Sequence, residues 1–149
     1  MSKLLAQGGF GCIFHPGIKT DGKSMTSRYA TKLQKKNYTS DNEIEIGNKI
    51  KSIKDYKKFF RIHEEYSSIH LSSIDDKLLK NCKPLRLKED VPYIALKLEY
   101  LNKPDFFDYL FNKKKSSKEK IGIIIESYAN LLEGFSHLLT KNIVQFDLK

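Results

Sequence analysis

Leu5-Ala6-Gln7-Gly8-Gly9-Phe10-Gly11-Cys12-Ile13 sets three glycines close together between two short apolar runs. With no side chains to hold them away, the backbone amides of such a turn can close over phosphate oxygens. Lys32 follows in Tyr29-Ala30-Thr31-Lys32, a short segment that reads as a strand, and brings an ammonium group. Far downstream, Gln145-Phe146-Asp147-Leu148-Lys149 offers a carboxylate and a second ammonium two residues apart. Any one of these groups is weak evidence, but together they supply the backbone donors and ammonium groups that phosphate oxygens would require.

Positioning them requires scaffolding on both sides. A charged lysine on a buried strand needs a partner, since an unpaired buried charge costs several kcal/mol. The segment from Asp41 to Ile53 supplies candidates: it reads as a helix capped by Asp41, with Ile46, Ile50 and Ile53 on one face. Two glutamates compete there. At about 100° per residue, Glu43 falls beside the isoleucine stripe and Glu45 on the wet side with Asn48, Lys49 and Ser52. Phe59-Phe60-Arg61-Ile62 and Lys83-Pro84-Leu85-Arg86-Leu87 read as strand segments around a loop rich in serine and aspartate. Tyr93 to Leu101 alternates apolar and polar positions, as a strand running into a connector does. Beyond it, Pro104 suits the first turn of a helix through Phe111. Ser116 and Glu119 form a capping box for a longer helix. There Ile121, Ile124, Ile125, Tyr128, Leu132, Phe135, Leu138 and Leu139 make one broad apolar face.

These motifs resemble those of eukaryotic-type protein kinases, in the version found in large DNA viruses, and the likeness covers nearly the whole chain. Against the pattern G-x-G-x-x-G-x-V the match is Ala6, Gly8, Gly11 and Ile13, with alanine at the first glycine position. The resemblance implies an α+β fold, with a small lobe of twisted antiparallel sheet plus one helix and a hinge over residues 1–101. The start of a large lobe would follow over 102–149 and end in the catalytic loop. It implies ATP as ligand. Leu5, Ala6, Gly8, Gly9, Phe10, Gly11 and Ile13 would cover the phosphates, Ala30 and Leu98 would line the adenine slot, and the main chain of Glu99 and Leu101 would bond the adenine edge. Lys32 would hold the α- and β-phosphates and pair with Glu43. Asp147 would orient the acceptor hydroxyl and take its proton, with Lys149 steadying the transferring phosphoryl group. Gln145 and Phe146 replace the usual histidine and arginine, so control through a phosphorylated activation loop is not expected.

The family's asparagine and D-F-G aspartate would fall after Lys149, so the ligands for Mg²⁺ are expected to be missing and no metal site is assigned. An incomplete serine/threonine-directed catalytic domain is therefore the first reading, acting on protein hydroxyls and completed by a missing segment or a partner. A nucleotide-binding interaction module without catalysis, a pseudokinase, is the alternative.

Composition fits one domain of ordinary size, with 40% hydrophobic residues, enough for a core. Basic residues exceed acidic ones by 27 to 18, giving +9, which permits acidic partners. The run Lys113-Lys114-Lys115 with Lys118 lacks an accompanying aromatic stacking motif and reads as a solvated linker rather than a nucleic-acid surface. No stretch approaches the roughly 20 apolar residues of a membrane span, and the amino terminus lacks a signal-peptide core. Cys12 and Cys82 give no disulfide framework, and a free thiol at Cys12 suits a reducing, cytoplasmic setting. His15, His63, His70 and His137 have no metal-ligand spacing.

Overall fold

A computed structural model describes residues 1–85, 91–102, 105–111 and 114–144. The fold is α+β, with a five-stranded antiparallel sheet and four α-helices among the described residues. The strands are β1 (Lys3–Gln7), β2 (Gly11–His15), β3 (Tyr29–Lys35), β4 (Glu65–Ile69) and β5 (Tyr93–Glu99), in spatial order β1-β2-β3-β5-β4. Two compact units divide the chain. The first comprises Met1–Asn48 and Arg61–Tyr100, and the second Lys49–Phe60 and Leu101–Lys149.

Within the first unit, the register assigns each sheet residue to a face. Directly paired residues share a face and successive residues along a strand change it. Cys12 pairs with Leu33, Leu33 with Ala95, and Lys35 with Tyr93. On this face Cys12, Phe14, Leu33, Tyr93 and Ala95 are buried against Ile18, Ile69, Leu71, Ile74, Leu79, Cys82 and Leu85. That cover comes from a 3-10 turn at Leu71–Ser73, helix α2 (Asp76–Leu79) and a second 3-10 turn at Lys83–Leu85. The other face carries Lys32 opposite Leu96 and Gln34 opposite Ile94, and here helix α1 (Tyr38–Lys51) brings Ile44 onto Ile94 and Leu96. Because β5 is covered on both sides, Tyr93, Ile94, Ala95 and Leu96 are all buried. The alternation read from its sequence does not correspond to one wet face.

Three local readings need correction. Helix α1 begins three residues before Asp41, because Asn37 and Ser40 cap it. The Asn37 side-chain oxygen accepts from the Ser40 amide at 3.1 Å, and the Ser40 hydroxyl accepts from the Asn37 amide at 2.9 Å. The inward ridge of α1 includes Ile44, Gly47 and Ile50, with Ile46 only half-buried. Gly47 is needed there because a Cβ would run into the His63 ring. Neither proposed segment around the polar loop is a strand. Phe59 and Phe60 both donate their amides to the Tyr56 carbonyl, and Lys83–Leu85 turns at Pro84, while Arg86 and Leu87 lie outside the described residues. The fourth strand is instead Glu65-Tyr66-Ser67-Ser68-Ile69, inside the supposed loop. It lies at the sheet edge, where only one neighbour has to be satisfied and polar residues are tolerated.

The cysteines give the fourth correction. Cys12 and Cys82 form a disulfide between positions 70 residues apart, with both residues fully buried. Cys12 is therefore not a free thiol of the glycine-rich turn, and the cysteine pair gives no support for a reducing compartment.

In the second unit, helix α3 (Phe106–Leu110) starts at Asp105, whose carboxylate accepts from the Asp108 amide at 2.7 Å. Pro104 is outside the described residues. Helix α4 (Ser117–Leu139) has the capping box expected from Ser116 and Glu119, with bonds in both directions. Its Gly134 and Leu138 are buried, with Gly134 lying under Phe59 and Phe60. No helix among the described residues is long and apolar enough to cross a membrane.

Candidate functional site

The glycine-rich segment is the turn between β1 and β2. Its shape is fixed at two points: the Gly8 amide donates to the Gly11 carbonyl at 3.0 Å, and Gly11 packs directly on β3. A Cβ at Gly11 would run into the Leu33 carbonyl oxygen and lie 2.9 Å from the Gln34 Cβ. The turn itself stands clear. Added Cβ atoms at Gly8 and Gly9 would meet nothing within 4 Å, and Phe10 at the tip is 70% exposed. Leu5 and Ala6 are exposed on β1, where the register shifts between Leu4 and Ala6 and sets Ala6 opposite Ile13.

Lys32 stands on the middle strand, opposite Ile13 on one side and Leu96 on the other. Its ammonium donates to both carboxylate oxygens of Glu43, each at 2.7 Å. Helix phase explains the choice of glutamate: Glu43 precedes Ile44 on the packed ridge, whereas Glu45 is exposed. A third donor completes the group, since the Gln34 side-chain amide reaches the same carboxylate at 2.8 Å. The lysine and glutamate side chains are 28% and 35% exposed, so water screens the pair partly and its contribution to stability is modest. Its chemical value is orientation. Among the described residues Lys32 bonds only Glu43, which leaves its third N–H for an anionic ligand.

Ala30 lies opposite Leu98, on the same sheet face as Lys32. Ala30 is buried and Leu98 half-buried. Glu99 ends β5, with its carboxylate 3.6 Å from the Arg61 guanidinium. Leu101 is exposed at the start of the second unit's longer segment. Asp147 and Lys149 lie outside the described residues. No group of three or more histidine, cysteine, aspartate or glutamate side chains among the described residues could hold a metal ion.

Two contributors were missed in the sequence. Gln34 had a usable signal: it lies two residues after Lys32, hence on the same side of a strand. Cys82 had none, because its pairing with Cys12 depends on how the segment after β4 folds back over the sheet.

Other polar groupings lie apart from the pair. On the opposite sheet face Lys97 reaches Glu65 at 3.2 Å and Glu64 at 3.8 Å, and sits 4.3 Å from the Tyr29 ring centre. A cavity of about 70 Å³ adjoins it, between Thr31, Tyr66 and Ala95. In the second unit Phe106, Ile124, Tyr128 and Leu131 line an open apolar hollow of about 330 Å³.

Comparison of the chain with protein-family models, with curated proteins and with solved structures finds no match.

Proposed function

We propose that this chain binds ATP and forms the amino-terminal part of a serine/threonine-type protein kinase domain. The observation that carries this reading is the Lys32 ammonium bonded to both oxygens of Glu43, on the strand adjoining a glycine turn whose tip is open. Such an ammonium, held in one orientation and with one donor to spare, suits the α- and β-phosphates of a nucleotide. The sheet order β1-β2-β3-β5-β4, with one helix against the lysine face, is compatible with a kinase small lobe. In this reading Ala30 and Leu98 contact the adenine, and the main chain of Glu99 and Leu101 bonds its edge. Asp147 takes the proton of a protein hydroxyl while Lys149 steadies the phosphoryl group. Bound Mg²⁺ would supply charge neutralisation at the phosphates.

An intracellular, cytoplasmic setting belongs to this proposal because the nucleotide is supplied there. The cysteine pair does not argue for it, since disulfides are characteristic of oxidising compartments.

Titration with a fluorescent ATP analogue tests the reading. Saturable binding displaced by ATP is expected, and Lys32→Ala should weaken it by at least about tenfold, the loss of a charge-assisted contact of roughly 1.5–3 kcal/mol. Equal affinity in parent and variant, or no binding by the parent, would remove ATP from the proposal.

A further inference from the structure

We infer that Gln34 is a positioning residue: its amide holds the Glu43 carboxylate in the one orientation that presents both oxygens to Lys32. This inference rests on the nucleotide reading for its consequence, but its geometry stands independently.

Gln34 is 2% exposed, so its amide has left water and must be satisfied inside the protein. Its Nε2 donates to Glu43 Oε2 at 2.8 Å, the same oxygen that accepts from Lys32. Glutamate has three side-chain torsions, and with its side chain 35% exposed Glu43 is within reach of water. Two bonds from one ammonium fix the distance between the charges but allow the carboxylate to swing about the lysine nitrogen. A third donor, approaching from a neighbouring point on the same strand, removes that freedom. Being neutral, the amide does so without competing with Lys32 for the negative charge.

Its packing links the group to the turn. Gly11 is the direct partner of Gln34 across β2 and β3, and the missing side chain of Gly11 makes room for the Gln34 stem. The end of the glycine-rich turn, the amide and the carboxylate therefore form one contiguous series. A displacement of Gly11 would be felt at Glu43 through Gln34.

Gln34→Met tests this, since it keeps the length of the side chain and removes its donor. The first readout needs no nucleotide: the ¹⁵N–¹H signal of the Lys32 ammonium, which is observable only when exchange with water is slowed by a persistent partner. In the full chain the signal is expected for the parent and to broaden or vanish in Gln34→Met, with the sheet amide spectrum retained. An unchanged signal would overturn the inference. The second readout is ATP-analogue affinity. Gln34→Met should lower it by about 3- to 10-fold in the parent, and should add nothing in a Glu43→Gln background where the carboxylate is already gone. Additive losses would assign Gln34 a merely structural role and overturn the inference. If the parent binds no analogue, the nucleotide reading fails while the ammonium signal still decides the role of Gln34. Should Gln34→Met not fold, Gln34→Glu replaces it. Its carboxylate would compete with Glu43 for the Lys32 ammonium, so in this variant ATP-analogue affinity is the deciding readout: a loss in the parent that adds nothing in the Glu43→Gln background is expected, and additive losses would overturn the inference.

Discussion

The first unit is held by covalent and polar links between residues far apart in sequence, whereas in the second the distant contact is mainly the packing of α4 at Gly134 beneath Phe59 and Phe60. In the sheet unit Cys12 is bonded to Cys82, the Lys83 amide donates to the Gln7 side chain at 3.1 Å, and Lys32 pairs with Glu43. In the helical unit, α4 leaves Ile121, Ile124, Ile125, Tyr128, Leu131 and Leu132 exposed. Its capping link joins Ser116 to Glu119 within one turn, and α3 contributes the neighbouring rings of Phe107 and Phe111, 4.6 Å apart. The distant pair Lys58–Glu133 is exposed on both sides and counts for little. The difference follows from the backbone. A strand has no hydrogen-bond partner within itself, whereas a 23-residue helix satisfies its own amides and is long enough to propagate once its first turn is fixed. Cutting a distant link should therefore damage the first unit far more than a local change damages the second.

The disulfide gives the largest test. Closing a loop over a separation of 70 residues is worth about 4 kcal/mol in the chain-entropy description. Reduction, or Cys12→Ala with Cys82→Ala, is expected to lower the stability of β2, β3 and β5 by roughly that amount, as read from amide exchange in low urea. The amides of α4 should lose much less protection. Equal losses in the two units would dissolve the contrast between them.

The glycine-rich turn sharpens the comparison within the first unit. Gly11 is pressed on the Leu33 carbonyl, so Gly11→Ala has to shift backbone and should cost about 1–3 kcal/mol, as overpacking does. Gly8→Ala projects into open space and should stay within about 0.5 kcal/mol of the parent. Thermal unfolding of both variants checks this. Equal destabilisation would mean that Gly11 does not dock the turn on β3.

How much of this was legible in the sequence depended on the range of each interaction. The Ser116–Glu119 box could be read directly, because both partners sit within one helical turn. Choosing Glu43 over Glu45 needed only helix phase. β5 was located from its alternation, but that its first four residues are buried on both faces could not be read, since this depends on α1 and on the cover from Ile69 to Leu85. β4 was hidden by its two serines and a glutamate, which an edge position permits and a central one would not. The start of α1 was displaced because Asp41 and Asn37 are both good caps, and only the Ser40 hydroxyl, bonding back to the Asn37 amide, decides between them. The Cys12–Cys82 link could not be read at all: two cysteines 70 residues apart carry no local signature.

The smallest effect belongs to the local unit and is read through pH. The Ser116 hydroxyl, and after it the Ser116 backbone N–H, donates to the Glu119 carboxylate and holds its pKa below the usual glutamate value. A carboxyl whose folded-state pKa is depressed stabilises the folded state fully above the unfolded glutamate range, and that contribution is lost as pH falls through the folded value. The first turn of α4 should therefore fray on acidification below the ordinary glutamate range, visible in the backbone carbon shifts of Ser117, Lys118 and Glu119. Glu119 is solvent-exposed and the loss should be slight, confined to that turn. Glu119→Gln should flatten the acid dependence, because an amide can still reach back to the Ser116 N–H but carries no charge to titrate. A transition of the same size in Glu119→Gln would trace the fraying to another carboxylate and show that α4 does not depend on its own cap.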